Sequence, residues 1–255
     1  MTELQSIIYE EIDRAAWITL NRPQSRNALS ASLVNELYQS IQAANKDENI
    51  RCIVITGNGS SFCSGADLKS PPGQTIAGVK SISFADVLKA IQESVKPVIS
   101  CINGSAFAGG LGLIGASDIA IASDSAVFSF SEVRIGVIPA VISVVCLPKL
   151  GLQNGMKLFL TGEKFTGEAA VTLGLVNRAV DHSELRDAVC EEIKAIALGG
   201  PNAIMETKKL VHQMCNIDSE QAFEIATEWS ARMFQSEEGG EGINAFREKR
   251  KPNWQ

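Results

Sequence analysis

Three short segments of this chain hold residue types that could bind and activate a carbonyl compound. Two are runs of small residues, 61–68 and 103–111, and the third, 128–133, contains Glu132. No Ser-His-Asp or Cys-His arrangement competes with them. The two histidines, His182 and His212, are far from these segments in sequence and are predicted to be structural. The chemistry to consider is therefore that of backbone N–H groups together with one carboxylate.

The two runs of small residues predict exposed backbone N–H donors, because small side chains leave the main chain accessible. Each run follows a short apolar segment, 52–56 or 98–102, of the kind that forms buried parallel strands. The second run leads into a predicted helix at 111–117, whose first N–H groups lack helical acceptors. Together the runs could form an oxyanion hole, in which each donor is typically worth about 3–4 kcal/mol. A pair of ordinary tight turns is the alternative.

Glu132 is the candidate acid and base. In an extended chain Phe128, Phe130 and Glu132 would share one face. A carboxylate that continues an apolar face is desolvated, and this raises its pKa toward the range that suits proton transfer. The alternative is an exposed glutamate at the end of a strand.

The second glycine run also matches the dinucleotide fingerprint G-x-G-x-x-G at Gly110, Gly112 and Gly115. A nucleotide site is not expected here. The fingerprint should open directly after a strand, whereas the chain here first traverses the eight residues 103–110, of which Gly110 is the last. Close packing of a helix against a neighbour explains Gly112 and Gly115 better.

Alternating strands and helices must position these segments. The patterns predict strands at 15–20, 52–56, 98–102, 119–122, 127–130 and 176–180, with helices at 33–44 and 84–94. This order is typical of an α/β fold with parallel strands. Further helices are predicted at 141–147, 153–160, 166–173, 183–197, 201–214, 218–234 and 237–250. The glycines before Pro201 favour a boundary near 197, which gives a core of 1–197 and a helical region of 198–255. The irregular segment 69–81 is predicted to be a surface loop.

Composition excludes several classes of protein. The 255 residues are 45% hydrophobic and 20% charged with a net charge of −6, which indicates a globular protein without the basic face that nucleic acids require. The uncharged segment 97–117 contains glycines, serines and Asn103, so a membrane helix is not expected. The six cysteines lack metal-site spacing and indicate reduced thiols in the cytoplasm, and no signal peptide is expected.

Taken in order, these motifs resemble the crotonase superfamily, which contains the enoyl-CoA hydratases and isomerases. The resemblance spans 21–29, 62–68, 103–110, 131–136 and 161–163. It implies a spiral of ββα units, a C-terminal helical region used in trimer contacts, and a homotrimer or homohexamer. It also implies an acyl-CoA thioester as the substrate, with no cofactor other than the coenzyme A of that substrate and no metal.

The resemblance also implies roles for individual residues. The oxyanion donors would be the N–H groups of Ala66 and Gly109, and Glu132 would be the catalytic carboxylate. Residues of the coenzyme A and substrate site would be Arg26, Ala28, Ala66, Asp67, Leu68, Gly109 and Gly110, with Phe246 and Lys249 reaching the coenzyme of a neighbouring subunit.

One position departs from the family pattern. Hydratases of this family typically carry two catalytic glutamates, and the first would fall at Gly112. The single-glutamate pattern is similar to that of Δ3,Δ2-enoyl-CoA isomerases. The segments 130–143 and 251–255 look more like bacterial hydratases of branched methylglutaconyl- and carboxygeranoyl-CoA. We therefore expect a hydratase of 2-enoyl-CoA thioesters, branched ones included. The alternatives are an isomerase and a non-catalytic acyl-CoA-binding protein. A Gly112→Glu substitution is expected to raise simple hydration if its helix keeps its position.

Overall fold

A computed structural model of the chain describes residues 4–69, 81–215 and 217–255. The predicted loop 69–81 falls almost entirely outside them. The strands are β1 (Ile7–Ile12), β2 (Ala15–Leu20), β3 (Cys52–Gly57), β4 (Ser61–Cys63), β5 (Val98–Ile102), β6 (Ser105–Phe107), β7 (Ile119–Ser123), β8 (Val127–Ser129), β9 (Phe165–Thr166) and β10 (Arg178–Val180). The helices are α1 (Ala31–Lys46), α2 (Phe84–Gln92), α3 (Gly109–Ala116), α4 (Ala140–Thr161), α5 (Gly167–Thr172), α6 (Leu185–Leu198), α7 (Pro201–Met214), α8 (Ser219–Phe234) and α9 (Glu237–Glu248).

The strands form two sheets that the chain visits in turn. The larger sheet has the order β1-β2-β3-β5-β7-β10 and the smaller one the order β4-β6-β8-β9. Pairing is parallel except between β1 and β2 and between β8 and β9. The chain passes from β3 to β4 and α2, and then from β5 to β6 and α3. Each turn of the spiral is thus a ββα unit, as the resemblance implies.

The central strands are mostly apolar because both faces of the larger sheet are covered. In β3, Ile53 and Ile55 belong to the main core beneath the helices, whereas Cys52 and Val54 belong to a second core that includes Val189 of α6. Alternate side chains of a strand point to opposite faces. A strand buried on both faces therefore cannot show the polar–apolar alternation of a half-exposed one.

The first two helices begin where the sequence supplies caps. The Ser30 side chain accepts a hydrogen bond from Leu33 N–H at the start of α1, and Ser83 and Asp86 form a capping box at the start of α2. The predicted apolar positions of α1 are all buried, from Leu33 through Ala44. Both helices thereby have fixed first turns beside the small-residue loops.

The sequence patterns missed several elements. Strands β4 and β6 have three residues each and were assigned to loops, and β1 was not predicted. The predicted helices 141–147 and 153–160 are two parts of α4, whose geometry breaks at Gly151 with φ 71°. A three-residue strand is too short for a hydrophobic period to register.

The C-terminal helices follow α6 after a two-glycine link, Gly199 and Gly200. The chain end returns to this link, where Trp254 Nε1 donates to the carbonyl of Leu198 and the Trp254 carbonyl accepts from Arg14. The division into 1–197 and 198–255 stays a prediction. In the part of the chain described above, no helix is both long and apolar enough to cross a membrane.

Candidate active site

Ala66, Gly109 and Glu132 line one cavity of about 200 Å³. Its lining residues are Leu29, Ala66, Phe84, Ala108, Gly109, Glu132, Ile138, Pro139, Ala140, Val141 and Ile142. The three residues that the sequence assigned to catalysis therefore come together, although 66 positions separate the first from the last. The remaining walls are apolar.

The Ala66 N–H is left free by the way its segment pairs. Leu29 N–H donates to the Gly65 carbonyl at 2.8 Å, and Asp67 N–H donates to the Leu29 carbonyl at 3.1 Å. In a parallel bridge of this kind the residue between the two partners directs its own N–H to the opposite side. The Ala66 N–H has no acceptor among the described residues. It is thus available to a ligand.

An ion pair holds this segment in place. Arg22 Nη1 lies 2.9 Å from Asp67 Oδ2 and 2.7 Å from the Ala28 carbonyl oxygen. One guanidinium therefore ties the chain on both sides of the Leu29–Ala66 bridge. The ion pair is largely shielded from water, with 23% and 12% of the two side chains exposed, so it is screened less than a surface pair. Sequence reasoning gave Arg22 no role.

Gly109 presents its N–H because it is the first residue of α3, where no helical acceptor is available. The preceding Ala108 has φ 48° and ψ −119°, a conformation that glycine favours and that strains alanine. The Ala108 N–H donates to the Ser129 carbonyl at 3.1 Å. This turn ends β6 and starts α3 within one residue. The Gly109 N–H has no acceptor in the described part of the chain.

The two loops that carry these N–H groups are in contact. A Cβ placed on Gly65 would lie 3.4 Å from the Gly109 nitrogen and 2.9 Å from the Ala108 Cβ. Gly65 has φ +90°, which disfavours any other residue. A side chain at residue 65 would therefore push the loops apart. Gly65 is a positioning residue that the sequence analysis did not single out.

The extended geometry predicted for Glu132 is wrong. Strand β8 ends at Ser129, and residues Ser131–Ile135 form a 3-10 helix. Because the side-chain period changes there from two to three, Glu132 does not continue the face of Phe128 and Phe130. Both phenylalanines are fully buried in the core, whereas Glu132 lines the cavity.

The Glu132 carboxylate is desolvated as predicted, through a different geometry. Its Oε2 atom is buried and has no hydrogen-bond partner among the described residues. Burial raises the pKa of Glu132 above the usual glutamate value, and a hydrogen bond from its own backbone N–H partly opposes this. An unpaired buried carboxylate is costly, and such groups are concentrated at functional sites.

The predicted coenzyme A residues outside the cavity fall into three groups: one beside Ala66, Gly110 alone, and Phe246 with Lys249. Arg26, Ala28, Asp67 and Leu68 lie beside the Ala66 segment, since Ser64 N–H donates to the Arg26 carbonyl and Leu29 pairs with Ala66. Of these, Arg26 and Leu68 are exposed.

Gly110 lies near the site but does not line the cavity. A Cβ on Gly110 would lie 2.5 Å from the Cys63 carbonyl oxygen, so this glycine allows α3 to pack against β4. Phe246, at 86% exposure, and Lys249 lie on the surface at the end of α9. Their predicted contact with a neighbouring subunit's coenzyme stays a prediction.

The predicted gap between a strand and the glycine run is wrong. Strand β6 ends at Phe107, only two residues before Gly109, so a strand does precede the glycine run. The glycines have packing roles, however. A Cβ on Gly112 would lie 2.5 Å from Ile142 Cγ2, and one on Gly115 would lie 2.7 Å from Cys146 Sγ. A Gly112→Glu substitution therefore does not fit while the helix keeps its position.

The apolar walls of the cavity were missed by sequence reasoning. Residues 138–142 follow Glu132 closely in the chain and form the entry to α4, and this proximity was an available signal. Phe84 had no such signal. It reaches the cavity only because α2 packs against α3.

A larger cavity of about 810 Å³ lies between α3, α4 and α7. Its charged groups are already engaged. Lys208 Nζ pairs with Asp118 at 2.7 Å, and Lys149 Nζ donates to the carbonyls of Ile114 and Ser117. These lysines satisfy carbonyl groups at helix ends. The smaller cavity, with its free donors and unpaired carboxylate, is the better candidate for chemistry. The described residues contain no cluster of three or more His, Cys, Asp or Glu side chains that could hold a metal.

Comparison with known proteins identifies the family of this chain. The family described as enoyl-CoA hydratase/isomerase matches residues 11–255, and the chain belongs to that family. Enoyl-CoA hydratase EchA19 of Mycobacterium tuberculosis is 33% identical, with 93% of this chain and 92% of that protein covered. The peroxisomal Delta(3,5)-Delta(2,4)-dienoyl-CoA isomerase of Arabidopsis thaliana is 31% identical, with coverages of 97% and 95%.

A solved structure of an enoyl-CoA hydratase from Shewanella pealeana superposes with a TM-score of 0.91 at 31% identity, covering 99% of this chain and 97% of that one. The predicted crotonase fold and superfamily are confirmed. Membership of this family implies an acyl-CoA thioester as the substrate.

The strain at Ala108 gives a stability prediction. Ala108→Gly should raise the free energy of unfolding by about 1 kcal/mol, because glycine adopts this conformation without strain. The matched control is Ala106→Gly, two residues earlier in β6, which should lower it by about 1–2 kcal/mol through lost burial and added chain entropy. Chemical denaturation measures both. Destabilisation by both substitutions would contradict the strain at Ala108.

The raised pKa of Glu132 predicts a pH-dependent loss of stability. Below the ordinary glutamate pKa the carboxyl is neutral in the folded and unfolded chains. As the pH rises from there through the raised folded pKa, the unfolded chain ionises more readily, so stability falls. Glu132→Gln should remove this loss. The melting temperature of the variant should therefore rise relative to that of the wild type between pH 4 and pH 7. A difference in melting temperature between the variant and the wild type that does not change with pH would show that Glu132 is solvated. Glu224→Gln, on the exposed face of α8, is the control.

Proposed function

We propose that this protein is an enoyl-CoA hydratase that adds water reversibly to a 2-enoyl-CoA thioester. The observation that carries the proposal is that Ala66, Gly109 and Glu132 line one small apolar cavity. Two unpaired N–H groups and one unpaired carboxylate form the minimum set for reaction through an enolate. The naming of several relatives as enoyl-CoA hydratases supports it.

The N–H groups of Ala66 and Gly109 donate to the thioester oxygen. Negative charge builds on this oxygen when water adds at C3, and fixed dipoles in a site without bulk water stabilise it at little reorganisation cost. Glu132 takes a proton from the attacking water and delivers one to C2. The water oxygen bonds to C3, the C2–C3 double bond becomes single, and Glu132 returns to its initial charge.

A raised pKa suits Glu132 to both halves of this cycle. A carboxylate whose pKa lies closer to neutrality is a stronger base toward water and remains able to give the proton back. No metal or additional cofactor is part of the proposed reaction. The oxyanion is held by backbone dipoles, and the coenzyme A belongs to the substrate.

The second candidate is an isomerase that converts a 3-enoyl-CoA to a 2-enoyl-CoA, moving the double bond from C3–C4 to C2–C3. Glu132 is the only ionisable side chain among the described residues that line the cavity. One carboxylate is sufficient to carry a proton from C2 to C4, whereas hydration also requires it to take a proton from the attacking water. The similarity to a dienoyl-CoA isomerase agrees with this alternative.

The acyl group, location and assembly complete the proposal. The described lining of the cavity contains no cation, so it offers no ion-pair partner for the second carboxylate of a methylglutaconyl group.

The free cysteines, four of them buried, suit a reducing cytoplasm. Exposed apolar side chains on α4, among them Val144, Leu152 and Leu160, suit burial in a homotrimer or homohexamer.

An assay with paired substrates tests the proposal. The hydratase should consume crotonyl-CoA, with loss of the enoyl thioester absorbance, whereas an isomerase should gain that absorbance from a 3-enoyl-CoA. Methylglutaconyl-CoA tests the branched acidic substrate directly. Binding of all three without a change in absorbance would identify a non-catalytic protein and contradict both candidates.

Glu132→Gln should separate binding from turnover. The amide keeps the shape of the side chain but cannot carry the proton, so turnover should fall by at least about 10²-fold while coenzyme A affinity is unchanged. Steady-state kinetics and calorimetry measure the two quantities. A glutamine variant with wild-type turnover would exclude Glu132 as the proton carrier.

A further inference from the structure

We propose that Ile142 restricts this site to a single carboxylate by filling the space that a side chain at residue 112 would need. The inference rests on the proposed function and assigns a specificity-determining role to a wall residue. It locates the cause of the one-carboxylate site in α4, whereas the sequence alone placed it at Gly112.

The distances at Gly112 leave no room for a side chain. A Cβ built there would lie 2.5 Å from Ile142 Cγ2 and 3.3 Å from Phe84 Cε1. Carbon atoms that are not bonded attract each other best at about 3.5–4.0 Å and repel strongly at the shorter distance. Even alanine at residue 112 therefore requires Ile142 to move.

Ile142 lies between Gly112 and the cavity that contains Glu132. Ile142 lines the cavity that contains Glu132, although only 3% of it is exposed. Gly112 is buried and is not among the residues that line the cavity. A longer side chain at residue 112 would have to pass through the volume that Ile142 occupies. The cavity wall at this point is hydrocarbon, so it cannot bind or activate water.

Two features keep Ile142 in this position. A β-branched side chain in a helix has one strongly preferred χ1 rotamer, so Ile142 cannot readily rotate aside. The helix itself cannot withdraw, because α3 and α4 are in close contact one turn further along. There a Cβ on Gly115 would lie 2.7 Å from Cys146 Sγ and 3.1 Å from the Val145 carbonyl carbon.

Removal of the Ile142 side chain should therefore admit a second carboxylate. In the combined Gly112→Glu and Ile142→Ala variant, the introduced carboxylate can take the proton from water as the oxygen bonds to C3. Glu132 then delivers its proton to C2, and a proton passed between the two carboxylates restores the starting state. The overall reaction is the same addition of water, divided between two groups.

The test is a double-mutant cycle on the full-length protein. Gly112→Glu, Ile142→Ala and their combination are compared by melting temperature and by hydration of crotonyl-CoA. The combination should melt well above the temperature expected from adding the two single losses. Additive losses of melting temperature would show that Ile142 does not fill the space that a side chain at residue 112 needs. A Gly112→Glu variant that melts like the wild type would show that residue 112 has room of its own. Either result would overturn the inference.

Two controls make the cycle specific. Val145→Ala, one turn along the same helix face and outside the small cavity, should not rescue Gly112→Glu. Gly112→Gln with Ile142→Ala has the same shape as the combination but no carboxylate. Hydration by the glutamate combination should exceed that of the glutamine combination at least about tenfold, below the 10²–10⁴-fold of an evolved general base.

The hydration rates and the melting temperatures test the two proposals separately. Equal rates for the glutamate and glutamine combinations would overturn the claim that Ile142 excludes a useful carboxylate. If the wild type and every variant leave crotonyl-CoA unchanged, the proposed hydration fails, while the melting temperatures still decide whether Ile142 closes the space at residue 112.

Discussion

An unpaired carboxylate in an apolar cavity is the constraint on which this site depends. Glu132 Oε2 is buried and has no hydrogen-bond partner in the part of the chain that the structure describes, and burial raises the pKa of Glu132. Such a group lowers stability unless a substrate uses it, since the lost hydration is not replaced. The surrounding fold must therefore supply enough apolar burial to tolerate it. The two cores on either face of the larger sheet provide that burial.

The same fold leaves two N–H groups without an acceptor among the described residues, by two different means. At Ala66 the parallel bridge to Leu29 directs the N–H away from the pairing partner, and the Arg22–Asp67 ion pair holds the segment. At Gly109 a helix begins directly after the strained Ala108. Because the strands are parallel, both loops emerge at the same end of neighbouring strands. The donors are consequently properties of the backbone, and side-chain substitutions at residues 66 and 109 would affect them only indirectly.

Sequence reasoning predicted what depends on local patterns and missed what depends on packing. The apolar period placed the buried face of α1 from Leu33 through Ala44. The small-residue loops predicted exposed N–H donors, and the family resemblance assigned that role to Ala66 and Gly109. The extended geometry predicted around Glu132 was wrong, because the switch from strand to 3-10 helix at residue 130 leaves no hydrophobic period to detect. Close packing at Gly112 was predicted, but the neighbouring residue was not, and a glutamate there was expected to fit. Only the approach of α4 shows that Ile142 occupies the space beside it.

The most direct test of the central claim is a crystal structure of the protein with a bound, non-reacting acyl-CoA thioester. The account predicts the thioester oxygen at about 2.7–3.1 Å from the nitrogens of both Ala66 and Gly109. It also predicts that C2 of the acyl chain lies beside the Glu132 carboxylate. A thioester bound in the larger cavity between α3, α4 and α7, or one whose oxygen contacts neither N–H group, would contradict it.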